Sequence, residues 1–253
     1  MAKRVDGYHD IETCFYPVPW TDMLEILPST TLKISLSGIS IPGIPDDNIC
    51  MKAYHLLAKD FDLSPVQIHL HKIVPIGAGL GGGSADGAYT LMVLNSLFDL
   101  KLNPEQLKAY ASKLGSDCAF FIDSVPAIGT GRGEVLTPST VDLSGKYLVI
   151  IKPAIHVATA DAYAGVKPNV RTTPVQEIVE TLPIDQWRIQ LENDFEKSVF
   201  EKYPEIEEIK KSLYNAGATY ASMSGSGSSV FGIFIGEVDP TTIYSGQSWS
   251  GWV

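Results

Sequence analysis

With 253 residues, 45% of them hydrophobic, and a net charge of −10, the chain can bury a substantial core as one large domain or two lobes. The acidic balance excludes a general basic field for non-specific nucleic-acid binding, though not a small cationic pocket. Cys14, Cys50 and Cys118 are odd in number, with no Cys-x-x-Cys pair, and read as reduced thiols of a cytoplasmic protein. No apolar run reaches spanning length and Met-Ala-Lys-Arg-Val-Asp lacks a signal core, so no membrane partner is expected.

Taken in order, Asp6-Gly-Tyr-His-Asp10 is turn-like and Ile11-Glu-Thr-Cys-Phe-Tyr16 alternates as a strand. Asp22-Met-Leu-Glu-Ile-Leu27 and Thr31-Leu-Lys-Ile-Ser-Leu36 alternate with period two and are predicted strands. After a Gly/Pro loop from Gly38 to Pro45, Asp46 or Asp47 is expected to cap a helix running to Lys59. Val66-Gln-Ile-His-Leu-His-Lys72 alternates cleanly. Its His69 and His71 share one face, where solvent-facing polar roles are favoured over a metal pair.

Asn103 and Pro104 open a further helix that Gly115 ends. Ala127 to Gly133 reads as a glycine-containing turn, and Lys146-Tyr-Leu-Val-Ile-Ile151 as a buried strand, with a lobe boundary near its end. Pro168 to Pro183 is a Pro/Thr-rich connection with one short helical piece. Leu191 to Asn215 is rich in helix formers, with Pro204 opening a second helix. Ala221 to Ser229 is a glycine-rich loop before the strand Val230-Phe-Gly-Ile-Phe-Ile235.

The stretch around which these elements are organised is Pro75-Ile-Gly-Ala-Gly-Leu-Gly-Gly-Gly-Ser-Ala-Asp-Gly-Ala88. Glycine adds no buried side chain and costs backbone entropy, so a run of glycines is expected where backbone N–H groups must approach a ligand closely. The apolar helical stretch Ala88 to Phe98 follows, and a glycine loop emptying into a helix start is a site for phosphate. No lysine follows the glycines, which excludes a Walker A loop, and neither a Val-Ala-Ile-Lys strand nor a His-Arg-Asp loop of the protein kinases is present. Gly77, Gly79 and Gly82 satisfy Gly-x-Gly-x-x-Gly, but the acidic residue at the right distance, Asp99, ends a helix rather than a strand. Ser84, at the expected helix start, is a cap, a phosphate ligand or a magnesium ligand.

Asp117, in Gly-Ser-Asp before the apolar Cys118-Ala-Phe-Phe-Ile122, is the favoured general base, with capping of the next helical turn as its competing role. Gly225-Ser-Gly-Ser-Ser229 reads equally as a pocket wall or a tight turn.

Pro75-Ile-Gly-Ala-Gly-Leu-Gly-Gly-Gly-Ser-Ala resembles the Pro-x-x-x-Gly-Leu-Gly-(Gly)-Ser-Ser/Ala motif of the GHMP small-molecule kinases. Asp6-Gly-Tyr-His-Asp-Ile-Glu-Thr13, Leu114-Gly-Ser-Asp-Cys-Ala-Phe-Phe121 and Asn193-Asp-Phe-Glu196 followed by Met223-Ser-Gly-Ser-Gly-Ser-Ser229 support it in the right order. The resemblance implies an α+β, two-lobed fold, with residues 1–150 like the second domain of a small-subunit ribosomal protein and residues 151–253 a ferredoxin-like lobe. It implies that Pro75, Ile76, Gly77, Ala78, Gly79, Leu80, Gly81, Gly82, Gly83, Ser84 and Ala85 wrap the phosphates of ATP. Magnesium is then the counterion, brought by ATP, with Ser84 as a ligand and no certain protein metal site. Asp117 would accept the proton of the attacking alcohol. Tyr8 and His9 would hold the cytosine of a cytidine-diphosphate-linked methylerythritol, a substrate suggested by the Asp-Gly-Tyr-His block, and Thr159, Gly225 and Ser226 would line the rest of that substrate. A monomer or homodimer is expected.

Members of that family carry a strand with a Lys-x-Asn motif upstream of the Asp-Gly-Tyr-His block. Here five residues precede Asp6. That strand and its lysine are therefore expected to be missing, with a sheet edge exposed and activity and stability lower than in a form extended upstream. Another GHMP kinase acting on a different alcohol, and a nucleotide-binding member without turnover, remain the alternatives.

Overall fold

A computed structural model describes residues 9–166 and 173–253, together with the backbone of Ala2 and Lys3. Strand β1 (Ala2–Lys3) pairs antiparallel with β2 (His9–Asp10), and β3 (Thr13–Phe15) follows. Strands β4 (Met23–Pro28) and β5 (Lys33–Gly38) realise the two period-two segments. Helix α1 (Ile49–Leu57) is capped by Asn48, whose side chain accepts from Cys50 N at 2.9 Å. The expected caps Asp46 and Asp47 instead close a 3₁₀ turn, Pro45–Asp47, because Pro45 fixes that turn one step ahead of the helix.

Strand β6 (Val66–Lys72) is the centre of a three-stranded sheet, antiparallel to β4 and parallel to β5, with Ile68 opposite both Ile26 and Ile34. On its outer face His69 and His71 bond the hydroxyls of Ser35 and Ser37. On the inner face Val66, Ile68 and Leu70 are fully buried against α1, α2 (Gly82–Leu97) and α3 (Pro104–Leu114). Helix α3 begins with the expected cap, a reciprocal pair in which Gln106 N donates to Asn103 Oδ1 and Asn103 N to Gln106 Oε1.

After α4 (Phe120–Asp123), residues 127–133 are not simply a turn. They hold β7 (Ala127–Thr130), which pairs with β3 on one side and β8 (Val135–Pro138) on the other, and only the tip 131–134 turns. Ala127 and Ile128 are buried there, so strand pairing prevails over the local glycines.

Strand β9 (Tyr147–Lys152) is buried on both faces. Val149 and Ile151 pack on one side, with α5 (Thr159–Gly165), α8 (Glu196–Lys202) and α9 (Pro204–Asn215). Leu148 packs on the other, with α6 (Val175–Thr181) and α7 (Ile184–Gln190). It lies inside an antiparallel sheet of order β10 (Tyr220–Met223), β11 (Val230–Phe234), β9, β12 (Gln247–Trp252). Residues 221–223, read from sequence as loop, are thus buried strand, and the second glycine-rich loop is confined to 224–229. Among the described residues no helix is long and apolar enough to cross a membrane.

Candidate functional site

The first glycine loop joins β6 to α2. Gly77, Gly79 and Gly81 lie at φ of +61°, +73° and +69°. Close approach matters most at Gly79, where a Cβ would collide with the carbonyl oxygen of Ser224 in the second loop. Helix α2 begins at Gly82, six residues before the apolar stretch that marks it in sequence, with left-handed Gly81 at its N-cap and no side-chain cap. Ala85 N is the first amide to reach back, to Gly81 O at 2.9 Å, so Gly82, Gly83 and Ser84 present N–H groups with no helical partner. A Cβ on Gly83 would meet nothing within 4 Å. Those amides and the dipole of a sixteen-residue helix form an anion site. Ser84 is the helix's third residue and does not cap it. Its hydroxyl instead lowers the pKa of the Cys118 thiol, partly offsetting the rise caused by burial.

Beneath the loop lies a charged unit that the sequence reading missed. Lys72 Nζ bonds Asp86 Oδ2 at 2.8 Å and Asp22 Oδ2 at 2.5 Å, and the three side chains are 2%, 6% and 7% exposed. Asp22 Oδ1 also accepts from Ile73 N at 2.6 Å and Val74 N at 2.8 Å. Burial, only partly offset by Lys72, raises the pKa of Asp86 to about 6. A signal was present: Lys72 continues the inward phase of Val66, Ile68 and Leu70, where a lysine must be paired.

Asp117 lies between α3 and α4. It does not cap α4, whose N-cap is Ala119 with no side-chain bond. Its Oδ1 lies 3.6 Å from the position a Cβ on Gly133 would take, in the β7–β8 turn, beside Ile11 and Phe15. Solvent reaches the carboxylate, but the surrounding walls desolvate it, and this raises its pKa. Tyr163 on α5 stands within its field: the phenol's pKa rises through burial and then through the Asp117 charge. The Tyr163 ring also packs against His9, centroids 5.2 Å apart, and edge-on against Phe195 at 4.8 Å.

The second loop runs from strand to strand and is held by protein. Ser224 Oγ donates to Gly79 O at 2.7 Å and Ser229 N to Ala78 O at 3.1 Å. Asn193 Nδ2 donates to Met223 O at 2.8 Å and Gly225 O at 2.7 Å. Buried Glu196 accepts from Met223 N at 2.8 Å and Ser222 Oγ at 3.1 Å, with Lys210 Nζ on its other oxygen at 2.5 Å. The Asn193-to-Glu196 block therefore fixes this loop.

A single cavity of about 1680 Å³ is lined by all residues from Pro75 to Ala85, by Asp117, and by Thr159, Gly225 and Ser226. That exceeds the usual volume for one small ligand, roughly 300–1,000 Å³, and suits two. Thr159 Oγ1 and Ser226 Oγ meet at 3.3 Å on its rim. His9 reaches it through Tyr163, which lines it. Tyr8 lies outside the described residues. Tyr163 and Phe195 were not singled out from sequence; each is one aromatic in an ordinary helix or loop context, and only the fold sets them beside His9.

The family described as GHMP kinases N terminal domain matches residues 48–127, and GHMP kinases C terminal matches residues 180–246. A 4-diphosphocytidyl-2-C-methyl-D-erythritol kinase of Cytophaga hutchinsonii is 50% identical over 249 residues, covering 98% of this chain and 91% of that protein. One of Bacteroides fragilis is 51% identical over 239 residues, 93% of this chain and 87% of its own length. The crystal structure of a 4-(cytidine 5'-diphospho)-2C-methyl-D-erythritol kinase superposes with a TM-score of 0.82 at 31% identity, covering 98% of this chain and 92% of that one. A homoserine kinase from Cytophaga hutchinsonii, 18% identical with a TM-score of 0.72, shares the fold over 92% of this chain and 85% of that one.

Proposed function

The chain belongs to the GHMP kinases, and from that membership we infer that it phosphorylates 4-diphosphocytidyl-2-C-methyl-D-erythritol with ATP. The acceptor is the 2-hydroxyl, and the reaction is a step of the non-mevalonate route to isoprenoid precursors. The observation that carries the mechanism is that one cavity holds both the open N-terminus of α2 and the carboxylate of Asp117.

In this reading the amides of Gly82, Gly83 and Ser84 hold the polyphosphate of ATP, with Pro75 to Gly81 wrapping it. Phosphoryl transfer is mainly positioning and charge stabilisation, and a helix N-terminus with unpaired amides supplies both. Asp117 accepts the proton from the attacking hydroxyl. Its desolvation makes it a stronger base than a carboxylate in water. His9 and Tyr163 form an aromatic wall suited to a pyrimidine ring, with Tyr8 preceding His9 in sequence; Thr159, one turn before Tyr163 on α5, meets Ser226, and with Gly225 they line the cavity for the rest of the substrate.

Among the described residues no group of three His, Cys, Asp or Glu side chains could hold a metal. Among the oxygen donors that line the cavity, Ser84 Oγ beside the open helix N-terminus suits magnesium, which keeps phosphate oxygens and waters as most of its ligands. Magnesium bound with ATP would neutralise phosphate charge, with Ser84 as its protein ligand. We place the protein in the cytoplasm, as a monomer or homodimer, and the boundary between the two lobes just ahead of β9, because that strand, which spans the residue 150/151 boundary expected from sequence, pairs along its length with β11 and β12.

The test is ADP release with the cytidine-linked alcohol, homoserine and mevalonate as acceptors. The expected result is turnover with the first alone, and a loss of about 10²–10⁴-fold in kcat for Asp117→Asn with KM for ATP little changed. Equal turnover with another acceptor would overturn the substrate assignment, and an active Asp117→Asn variant the role of the carboxylate.

A further inference from the structure

The buried unit of Asp22, Lys72 and Asp86 touches neither Asp117 nor the second loop, and the mechanism above gives it no part. Its geometry ties together the two ends of the first glycine loop. Asp22 lies just ahead of β4 and takes the amides of Ile73 and Val74, the first residues after β6. Asp86 lies in the second turn of α2. Lys72 spans the two carboxylates. Residues 75–81, which carry the three left-handed glycines, are thus strung between two anchored ends.

The placement of the ammonium is specific. A Cβ on Gly82 would sit 3.1 Å from Lys72 Nζ and 2.9 Å from Val74 Cγ1. Gly82 therefore lets a cation stand directly against the first turn of α2. A lone buried ammonium would be costly, and two carboxylates at hydrogen-bond distance satisfy it. The strand end, the helix start and the segment before β4 are thereby held as one body, although they lie 50 and 14 residues apart in sequence.

We propose that Asp22, Lys72 and Asp86 are positioning residues that set the shape of the first glycine loop for the phosphates of ATP. The proposal rests on the assignment of that loop to ATP. The three act on the loop through the backbone at 73, 74 and 82–86. The unit therefore governs nucleotide recognition and leaves recognition of the alcohol alone.

The experiment compares the full chain with Asp86→Ala, Asp86→Asn and Asp22→Asn, measuring KM for ATP, KM for the alcohol, kcat and thermal midpoint. At position 86 asparagine keeps the oxygen that accepts from Lys72 and alanine does not; at position 22 both oxygens accept, so asparagine there sets its NH2 against a donor. The expected result is a rise of about tenfold in KM for ATP for Asp86→Ala and Asp22→Asn, with KM for the alcohol unchanged and Asp86→Asn within about threefold of the parent. Lys72→Gln reads the same quantity if Asp86→Ala does not fold. A lower thermal midpoint with KM for ATP unchanged, or an equal rise in both KM values, overturns the proposal and leaves the unit purely structural. Gly83→Asp separates this from the assignment beneath it, because it sets a carboxylate against the phosphates in open space. If Gly83→Asp still binds ATP, the loop is not the ATP site. If it loses ATP while Asp86→Ala and Lys72→Gln do not, the positioning unit alone is wrong.

Discussion

The molecule's two glycine-rich loops have opposite structural roles. Pro75 to Gly83 leaves a sheet and opens into a helix, so its last amides have no helical partner among the described residues. Ser224 to Ser229 leaves one strand and returns by the next, and several of its polar atoms are bonded to protein: Gly79 O, Ala78 O, Asn193 Nδ2 and its own turn. A glycine-serine run is therefore ambiguous until the element that follows it is known. A helix leaves amides free for an anion, whereas a strand consumes them in a ladder.

The contact between the loops is where this contrast breaks most readily. Gly79→Ala adds a Cβ that collides with Ser224 O, at a backbone φ of +73° that alanine adopts only with strain. The loops must separate, and the amides of α2 lose their alignment with Asp117. A fall of about 100-fold in kcat/KM for ATP is expected, since an ångström of misplacement costs that much. Retention of wild-type kcat/KM would mean that the two loops are not mutually positioned during turnover.

Asn193→Ala acts on the second loop alone. It removes the donor to Met223 O and Gly225 O and the acceptor for Phe195 N. A loss of about 2 kcal/mol in denaturant unfolding is expected. KM for the alcohol should rise more than KM for ATP, because Gly225 and Ser226 line the cavity on that side. The reverse order would assign the second loop to the nucleotide.

Most of the frame was legible in sequence: β4, β5, β6, α3 and β9 follow from alternation and capping alone, since each signal is local. The start of α2 was not. Glycines 82, 83 and 87 depress local helix propensity, and the helix forms there because Asp86 is tethered to Lys72 and Ala88 and Leu91 are buried. The site divides the same way. Asp117 and the glycine loop announce themselves by residue type and setting. The Asp22–Lys72–Asp86 unit does not, because its members meet only through the β4–β6 register and the packing of α2.

That unit also sets a pH dependence confined to the first loop's foundation. The pKa of Asp86 in the folded chain, about 6, lies above its ordinary 3.8. The folded state holds the extra proton between those values, so this group's contribution to stability is greatest at the acid end and falls as pH rises through that window. The difference in unfolding free energy between parent and Asp86→Asn should therefore shift against the parent from pH 4 to pH 7. A flat difference would mean that Asp86 ionises in the folded protein as it does in water.

The smallest effect expected comes from the single side chain that joins the loops. Ser224→Ala removes only the hydroxyl that donates to Gly79 O at 2.7 Å, while the backbone bond from Ser229 N to Ala78 O remains. One neutral hydrogen bond contributes about 1 kcal/mol, and Gly79 O beside the open cavity can turn to water when its donor is lost. Stability should thus fall by no more than about that amount, and KM for ATP by less than about threefold either way. The comparison with Gly79→Ala is what gives the measurement its force. Both variants touch the Gly79–Ser224 contact, one by deleting a bond to Gly79 O and one by inserting an atom against Ser224 O. If the two losses prove similar, the loops are held by Ser224 itself; if Gly79→Ala is far worse, they are held by the space that glycine leaves.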